Sequence, residues 1–403
     1  MGQKLVLNGN HAAAYACKDA RVQVIAAYPI TPQSPLTELL SQFVEHGELK
    51  AKYICVESEH SAITVCIAAS STGARTFTAT SANGLLLMHE QLHWAAGARL
   101  PIVLACVNRA VAAPWNVWND QQDSISQRDT GWIQIYCEDN QEIYDRIIQA
   151  YKIAEQLSIP IMVCYDGYIL SHTLMPVEMI DQKLIDAFIP PFKPHVTLDP
   201  ENPCVLNLVT FPWIRQDHPD IEKLGGYPEL RYQLQEALLS SFDVIDQVDQ
   251  EFGKKFGRKY GFYTEYQCAD AEYIIIAMGS IASEASVAVD VLREEGVKIG
   301  LLSLKLFRPF PAKILAAFAE HVPASTYIVI DRALSYGYEG PVCTEFKAAL
   351  FTHQMQKNVH GYLIGIGGRD FDVNQIKEAA KQSIGAIENG QTEKKTEWIN
   401  VQK

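Results

Sequence analysis

The chain has 403 residues, 48% hydrophobic and 20% charged, with a formal net charge of −13. That length exceeds what one hydrophobic core usually supports, so an ordinary globular protein of two or three domains is expected. The negative charge argues against nucleic acid or an anionic membrane surface as a partner, and no apolar run long enough to span a bilayer occurs.

Taken in order, the first residues lead directly into the polar Asn8-Gly9-Asn10-His11, and Val6 stands where myristoylation needs Ser or Thr. Neither a signal peptide nor that lipid is expected, and the cytoplasm is the simplest location. Periodicity then predicts a strand over 22–28 and a helix over 35–46 with Leu36, Leu39, Leu40 and Phe43 on one face. A strand over 52–56, an Ala-rich helix over 62–72, a strand over 76–80 and a helix over 84–96 follow. Strands over 101–107 and 160–164 bracket a helix over 142–156. Such alternation predicts an α/β layer on a mainly parallel sheet.

Past residue 166 the pattern loosens, with prolines at 176, 190, 191, 194, 200 and 203. A connecting helix is predicted over 228–256, and a boundary near 265 divides the chain into 1–264 and 265–403. The second unit repeats the alternation: strands at 272–278, 298–304, 325–331 and 359–366, and helices at 283–295, 311–318 and 340–351. From Asn389 the tail is polar and is expected to be loosely held.

Four runs sit where strands hand over to helices, the place where open α/β sheets bind ligands. In Tyr28-Pro29-Ile30-Thr31-Pro32-Gln33-Ser34-Pro35, Thr31 can cap a helix that Pro32 begins, or a stiff turn can present its hydroxyl to a ligand. In Val56-Glu57-Ser58-Glu59-His60-Ser61-Ala62, both acids suit a first helical turn, while an inward carboxylate without a partner would point to a ligand. The small residues of Thr80-Ser81-Ala82-Asn83-Gly84 form a tight turn that admits either ordinary packing or close approach of a flat ligand. Arg109 emerges from a buried-looking strand and offers a planar fork to a carboxylate. That carboxylate is either a ligand's or one of Asp120, Asp123 and Asp129. The loop with Trp115 and Trp118 reads as a lid.

Nine cysteines are scattered without a C-x-x-C pair, so no iron-sulfur cluster is expected in this chain. Cys55, Cys106 and Cys164 lie in apolar runs and read as buried, inert thiols. No Walker loop or strand-linked dinucleotide fingerprint is present, and the glycine-rich Gly365-Ile366-Gly367-Gly368-Arg369-Asp370 is a weak match.

These four runs, continued through Asn108–Trp132 and joined by LFRPFP at 306–311 and GIGGRD at 365–370, resemble the alpha subunit of the pyruvate:ferredoxin oxidoreductases over nearly the whole chain. The resemblance implies a pyrimidine-type thiamine diphosphate domain over 1–264 and a transketolase C-terminal-like α/β domain over 265–403. It implies that Glu59 hydrogen-bonds the cofactor's pyrimidine, with Pro29 nearby. It further implies that Thr31 touches the substrate's oxygens and that Arg109 pairs with the 2-oxoacid carboxylate. Diphosphate, Mg2+ and [4Fe-4S] clusters are expected in partner subunits, in keeping with the missing Gly-Asp-Gly. The implied partners are beta, gamma and delta subunits, ferredoxin, pyruvate and CoA, and the implied product is acetyl-CoA. Asn83 departs from the family, which usually carries Gln there. The alternatives are an oxidoreductase for 2-oxoglutarate, a branched 2-oxoacid or oxalate, and a non-catalytic assembly subunit of the same fold.

Overall fold

The computed structural model describes residues 3–193, 227–390 and 396–402. Its first part runs β1 (Lys4–Leu7), α1 (Gly9–Asp19), β2 (Val24–Ala27), α2 (Ser34–Glu45), β3 (Lys52–Cys55), α3 (Glu59–Ser71), β4 (Thr76–Thr80), α4 (Ala82–Leu87), α5 (His89–Gly97), β5 (Val103–Asn108), α6 (Gln122–Ile125), β6 (Ile133–Tyr136), α7 (Asn140–Leu157), β7 (Ile161–Asp166), β8 (Met175–Glu178) and α8 (Gln182–Phe188). The second comprises α9 (Tyr227–Phe256), β9 (Tyr263–Tyr266), β10 (Tyr273–Met278), α10 (Ile281–Glu294), β11 (Ile299–Leu304), β12 (Leu306–Arg308), α11 (Ala312–His321), β13 (Thr326–Asp331), α12 (Pro341–Thr352), β14 (Asn358–Leu363), α13 (Val373–Glu388) and β15 (Glu397–Trp398).

Every residue of β4, β5 and β7 is buried, as expected of parallel strands covered on both faces. They belong to a seven-stranded sheet of order β12-β6-β7-β5-β4-β2-β3, parallel except for β12. A six-stranded sheet of order β15-β14-β13-β10-β11-β9 follows, parallel except for β9. α2 buries Leu36, Leu40 and Phe43 of the face its spacing predicts, with Leu39 half-buried and Thr37 buried in addition. Pro194, Pro200 and Pro203 lie outside the described residues.

Several expectations change. α1 was not foreseen: its buried side chains include Ala12, Ala13, Ala14, Ala16 and Cys17, too small to give a strong apolar period but suited to close packing on α7. The helix expected over 84–96 is two, because α4 ends at Leu87 and α5 restarts at His89. The tail is not loose throughout, since β15 pairs with β14 and Ile399 is buried. Cys55 is exposed on the edge strand β3, contrary to expectation, while the other described cysteines are buried and free.

The two sheets interlock. β9 lies at the expected boundary and belongs to the second sheet, whereas β12 crosses back to extend the first. Between β11 and β12, the buried Lys305 pairs with Glu142 at 2.8 Å and Glu138 at 2.7 Å. Arg146, beside Glu142 at 3.3 Å, donates to Gly261 O at 2.7 Å. Removing one member of such a buried charge set typically costs about 3–5 kcal/mol. α9 lies along α7 through Ile245, Val248 and Phe252, with Lys152 reaching Glu251 at 2.6 Å, while Leu234 packs beside Gly131.

Candidate functional site

The carboxyl ends of β2, β3, β4 and β5 lead into the four runs singled out in the sequence. Ser58 caps α3 by accepting from Ser61 N, which makes Glu59 the first helical residue and turns it inward. Glu59 is 6% exposed and makes no hydrogen bond or ion pair with any described residue. Glu57 is outside and accepts from the Ser61 hydroxyl, and the half-exposed His60 lies 3.9 Å from Glu90. Of the three ionisable groups in this run, only that of Glu59 belongs to a buried residue and has no partner among the described residues, the setting in which a carboxylate can face a ligand.

Gly84 explains how a flat group could lie beside it. A Cβ there would fall 2.5 Å from both Glu59 Oε1 and Thr80 Oγ1, so the backbone approaches the carboxylate as only glycine permits. The hydroxyls of Thr80 and Ser81 are buried and unpaired. Unpaired hydroxyls that can donate or accept, with that of Thr80 near the Glu59 carboxylate, form a polar socket open to a ligand.

Thr31 does not cap α2. The helix starts at Ser34 with Gln33 at the N-cap and Pro35 in its first turn, because residues 30–33 close a separate turn in which Gln33 N donates to Ile30 O. Thr31 and Pro29 are exposed, and the Thr31 hydroxyl is unengaged. The carbonyl of Thr31 accepts from Arg109 Nη1 at 2.9 Å.

Arg109 is 6% exposed, and its Nε donates to Asn116 O at 3.0 Å. Its guanidinium forms no ion pair with any described carboxylate, so the expected bridge to Asp120, Asp123 or Asp129 is absent. Asp120 instead accepts from Gly367 N, Asp123 accepts from the backbone N of Arg109, and Asp129 is 3.9 Å from Arg128. Two carbonyls thus orient a buried cation that lacks a counter-charge.

The Trp-bearing loop joins this face to the second unit. Asn83 Oδ1 accepts from Ala112 N at 3.0 Å, which ties the turn after β4 to this loop. At the far end Asn116 Nδ2 donates to Gly367 O at 2.7 Å, and Gly368 N donates to Asn119 O at 2.7 Å. The glycine-rich 365–370 run is thus a seat for this loop. Trp115 is 80% exposed.

Sequence reasoning missed the role of Asp123, which it weighed only as a partner for the Arg109 side chain. Its fully buried carboxylate accepts from Ala82 N, Arg109 N, Asn108 Nδ2 and Ser124 N, while burial pushes its carboxyl up to about 6. No local pattern marks such a contact, because the donors lie 14 or more residues away for Arg109 and Ala82.

The sequence pattern of the pyruvate flavodoxin/ferredoxin oxidoreductases, thiamine diphosphate-binding, matches residues 15–223, and that of pyruvate:ferredoxin oxidoreductase core domain II matches 271–376. The chain belongs to this family. It is 48% identical over 402 residues to ketoisovalerate oxidoreductase subunit VorA of Pyrococcus horikoshii, covering 99% of this chain and 98% of that one. It is 45% identical over 403 residues to pyruvate synthase subunit PorA of Pyrococcus abyssi, with the same coverage of 99% and 98%. In fold it is similar to 2-oxoglutarate:ferredoxin oxidoreductase from Magnetococcus marinus, with a TM-score of 0.69 and 19% identity over 95% of this chain. The chain spans 66% of that longer one. This family member therefore carries a thiamine diphosphate-binding domain and is a subunit of a 2-oxoacid:ferredoxin oxidoreductase, and among the described residues no helix is long and apolar enough to cross a membrane.

Proposed function

We propose that this chain supplies the pyrimidine half of a thiamine diphosphate site and the carboxylate-binding arginine of a pyruvate:ferredoxin oxidoreductase. The observation that carries the reading is the pair of opposite, buried, uncompensated charges on one sheet edge, Glu59 and Arg109. Glu59 would hydrogen-bond the pyrimidine N1' and hold a proton there, with Gly84 giving the ring close access and Pro29 bordering it. Thiamine diphosphate, when bound, supplies the carbon nucleophile for the 2-oxo group. Arg109 would orient the substrate carboxylate, and the free hydroxyl of Thr31 would donate to its oxygens. Diphosphate, Mg2+ and [4Fe-4S] clusters would be held by partner subunits, with CoA and ferredoxin completing the turnover to acetyl-CoA. We place the division between the two units near residue 265, between the two family matches.

A branched 2-oxoacid is the second reading, favoured by the 48% identity to the ketoisovalerate subunit against 45% to the pyruvate subunit. The complex purified with its partner subunits separates the two through kcat/KM for pyruvate and 2-oxoisovalerate with ferredoxin as acceptor. A preference of tenfold or more for pyruvate, about 1.4 kcal/mol, supports the first reading. The reverse preference supports the second, and turnover of neither removes both.

A further inference from the structure

The two halves of the candidate site are carried by different strand ends. The turn after β4 brings Gly84 to Glu59, with Asn83 tying that turn to Ala112, and the end of β5 brings Arg109. One group touches both. Asp123 Oδ2 accepts from Ala82 N at 2.9 Å and from Arg109 N at 3.0 Å. Its Oδ1 accepts from Asn108 Nδ2 at 2.8 Å and from Ser124 N at 2.7 Å.

We propose that Asp123 is a positioning residue: its carboxylate fixes the backbone at Ala82 and Arg109 together, so that the pyrimidine-facing loop and the substrate arginine keep one spacing. The inference rests on the reading of Arg109 given above. Three observations support it. The carboxylate is 0% exposed and accepts from four N–H groups and, at 3.8 Å, from the Cys106 thiol, so its acceptor capacity is spent within the chain. Ala82 has φ +47, a conformation a residue with a Cβ rarely adopts, and its N–H is the one Asp123 holds. Arg109 is gripped at its backbone by Asp123 and at its guanidinium by Thr31 O and Asn116 O, so its fork has little freedom left.

Asparagine has the shape of aspartate but one acceptor oxygen fewer, so Asp123→Asn must leave at least two of its donors facing an amide NH2. The effect should run through Arg109. In the complex purified with its partner subunits, Asp123→Asn is expected to raise KM for the 2-oxoacid about tenfold, and Arg109→Ala about a hundredfold, as loss of substrate orientation implies. The double variant should then be no worse than Arg109→Ala alone, because residues acting as one unit are non-additive. A KM penalty that multiplies with that of Arg109→Ala, or an unchanged KM in Asp123→Asn, overturns the proposal. A normal KM in Arg109→Ala overturns the reading of Arg109 itself, and this inference falls with it. If Asp123→Asn does not assemble, the exchange Asn108→Asp with Asp123→Asn restores the donor-acceptor match between the two side chains. It should then return KM to within about threefold of wild type, and an assembled exchange variant as impaired as Arg109→Ala contradicts the proposal.

Discussion

The carboxyl edges of the two sheets meet, Asp166 at the end of β7 reaching Ser280 just past β10, but they differ in what fills them. At the first edge Glu59, Arg109 and the hydroxyls of Thr80 and Ser81 are buried or nearly so and lack compensating partners. At the second, the switch point between β10 and β13 is bridged by the chain itself, although Asp166 Oδ1, Arg332 Nε and Nη1 and the Ser280 hydroxyl make no hydrogen bond among the described residues. Asp166, at the end of β7, accepts from Ser280 N at 2.7 Å and pairs with Arg332 at 3.1 Å. Gln121 donates its side-chain amide to Met278 O at 2.9 Å and its backbone N–H to Arg332 O at 2.8 Å. Gly279, at φ +79, leaves no room for a Cβ beside Gln121 Nε2 at 2.6 Å. A cavity of about 510 Å3 does remain beside this edge, between Trp118, Tyr168, Arg332 and Phe371, but Glu59, Thr31 and Arg109 are not among its walls. The same architecture therefore keeps one edge open for a ligand and uses the other as a joint.

If the second edge is a joint, breaking it should cost stability before it costs chemistry. Asp166→Ala leaves the buried Arg332 without its counter-charge and is expected to destabilise by about 3–5 kcal/mol, measured by urea unfolding of the complex. The equivalent truncation at the open edge, Glu59→Gln, should change unfolding by less than about 1 kcal/mol or stabilise, because it removes an uncompensated charge. Equal losses at the two edges would erase the distinction.

The open edge should instead fail in catalysis. Gly84→Ala places a methyl group against the Glu59 carboxylate, and a displacement of that kind is expected to lower kcat about 10²-fold with the complex still assembled. Wild-type kcat in that variant would show that nothing flat needs to lie beside Glu59.

A buried acid at neither edge sharpens the contrast. Asp19 accepts from Tyr144 Oη at 2.6 Å, and burial pushes its carboxyl up to about 6. A carboxyl raised in the folded state binds its proton more tightly there than in the unfolded chain, so its contribution is full below about pH 4 and is lost as pH rises through about 6. Asp19→Asn, which cannot ionise, should flatten the fall in stability across that window by about 2–3 kcal/mol, read from denaturation midpoints at each pH. An unchanged slope would mean that Asp19 is ionised in the folded protein. The smallest effect is expected at Thr31, where Thr31→Val should raise KM for the 2-oxoacid by tenfold or less, roughly the net worth of one hydrogen bond. No change would remove its hydroxyl from the substrate's reach.

How much of this was legible follows from how local each feature is. β4 falls on 76–80 as predicted because a buried strand of small and β-branched residues announces itself. Arg109 was placed correctly just past its strand for the same reason. The capping role offered to Thr31 failed because a turn of residues 30–33 intervenes, and its sequence looks like a helix start. β12 was unreadable as a strand: its three residues owe their pairing to β6, more than 160 residues earlier. Asp123 and Asp166 were missed as organisers because their partners come from distant segments, and an acidic residue is rarely fully buried unless paired.

The account turns on Glu59 handling the pyrimidine proton. The direct measurement is the rate of hydrogen-deuterium exchange at the thiazolium C2 of thiamine diphosphate bound to the complex, followed by quenching and NMR. Glu59→Gln is expected to slow that exchange by about 10²-fold or more while cofactor binding persists. Exchange at the wild-type rate in the cofactor-loaded variant would contradict the account.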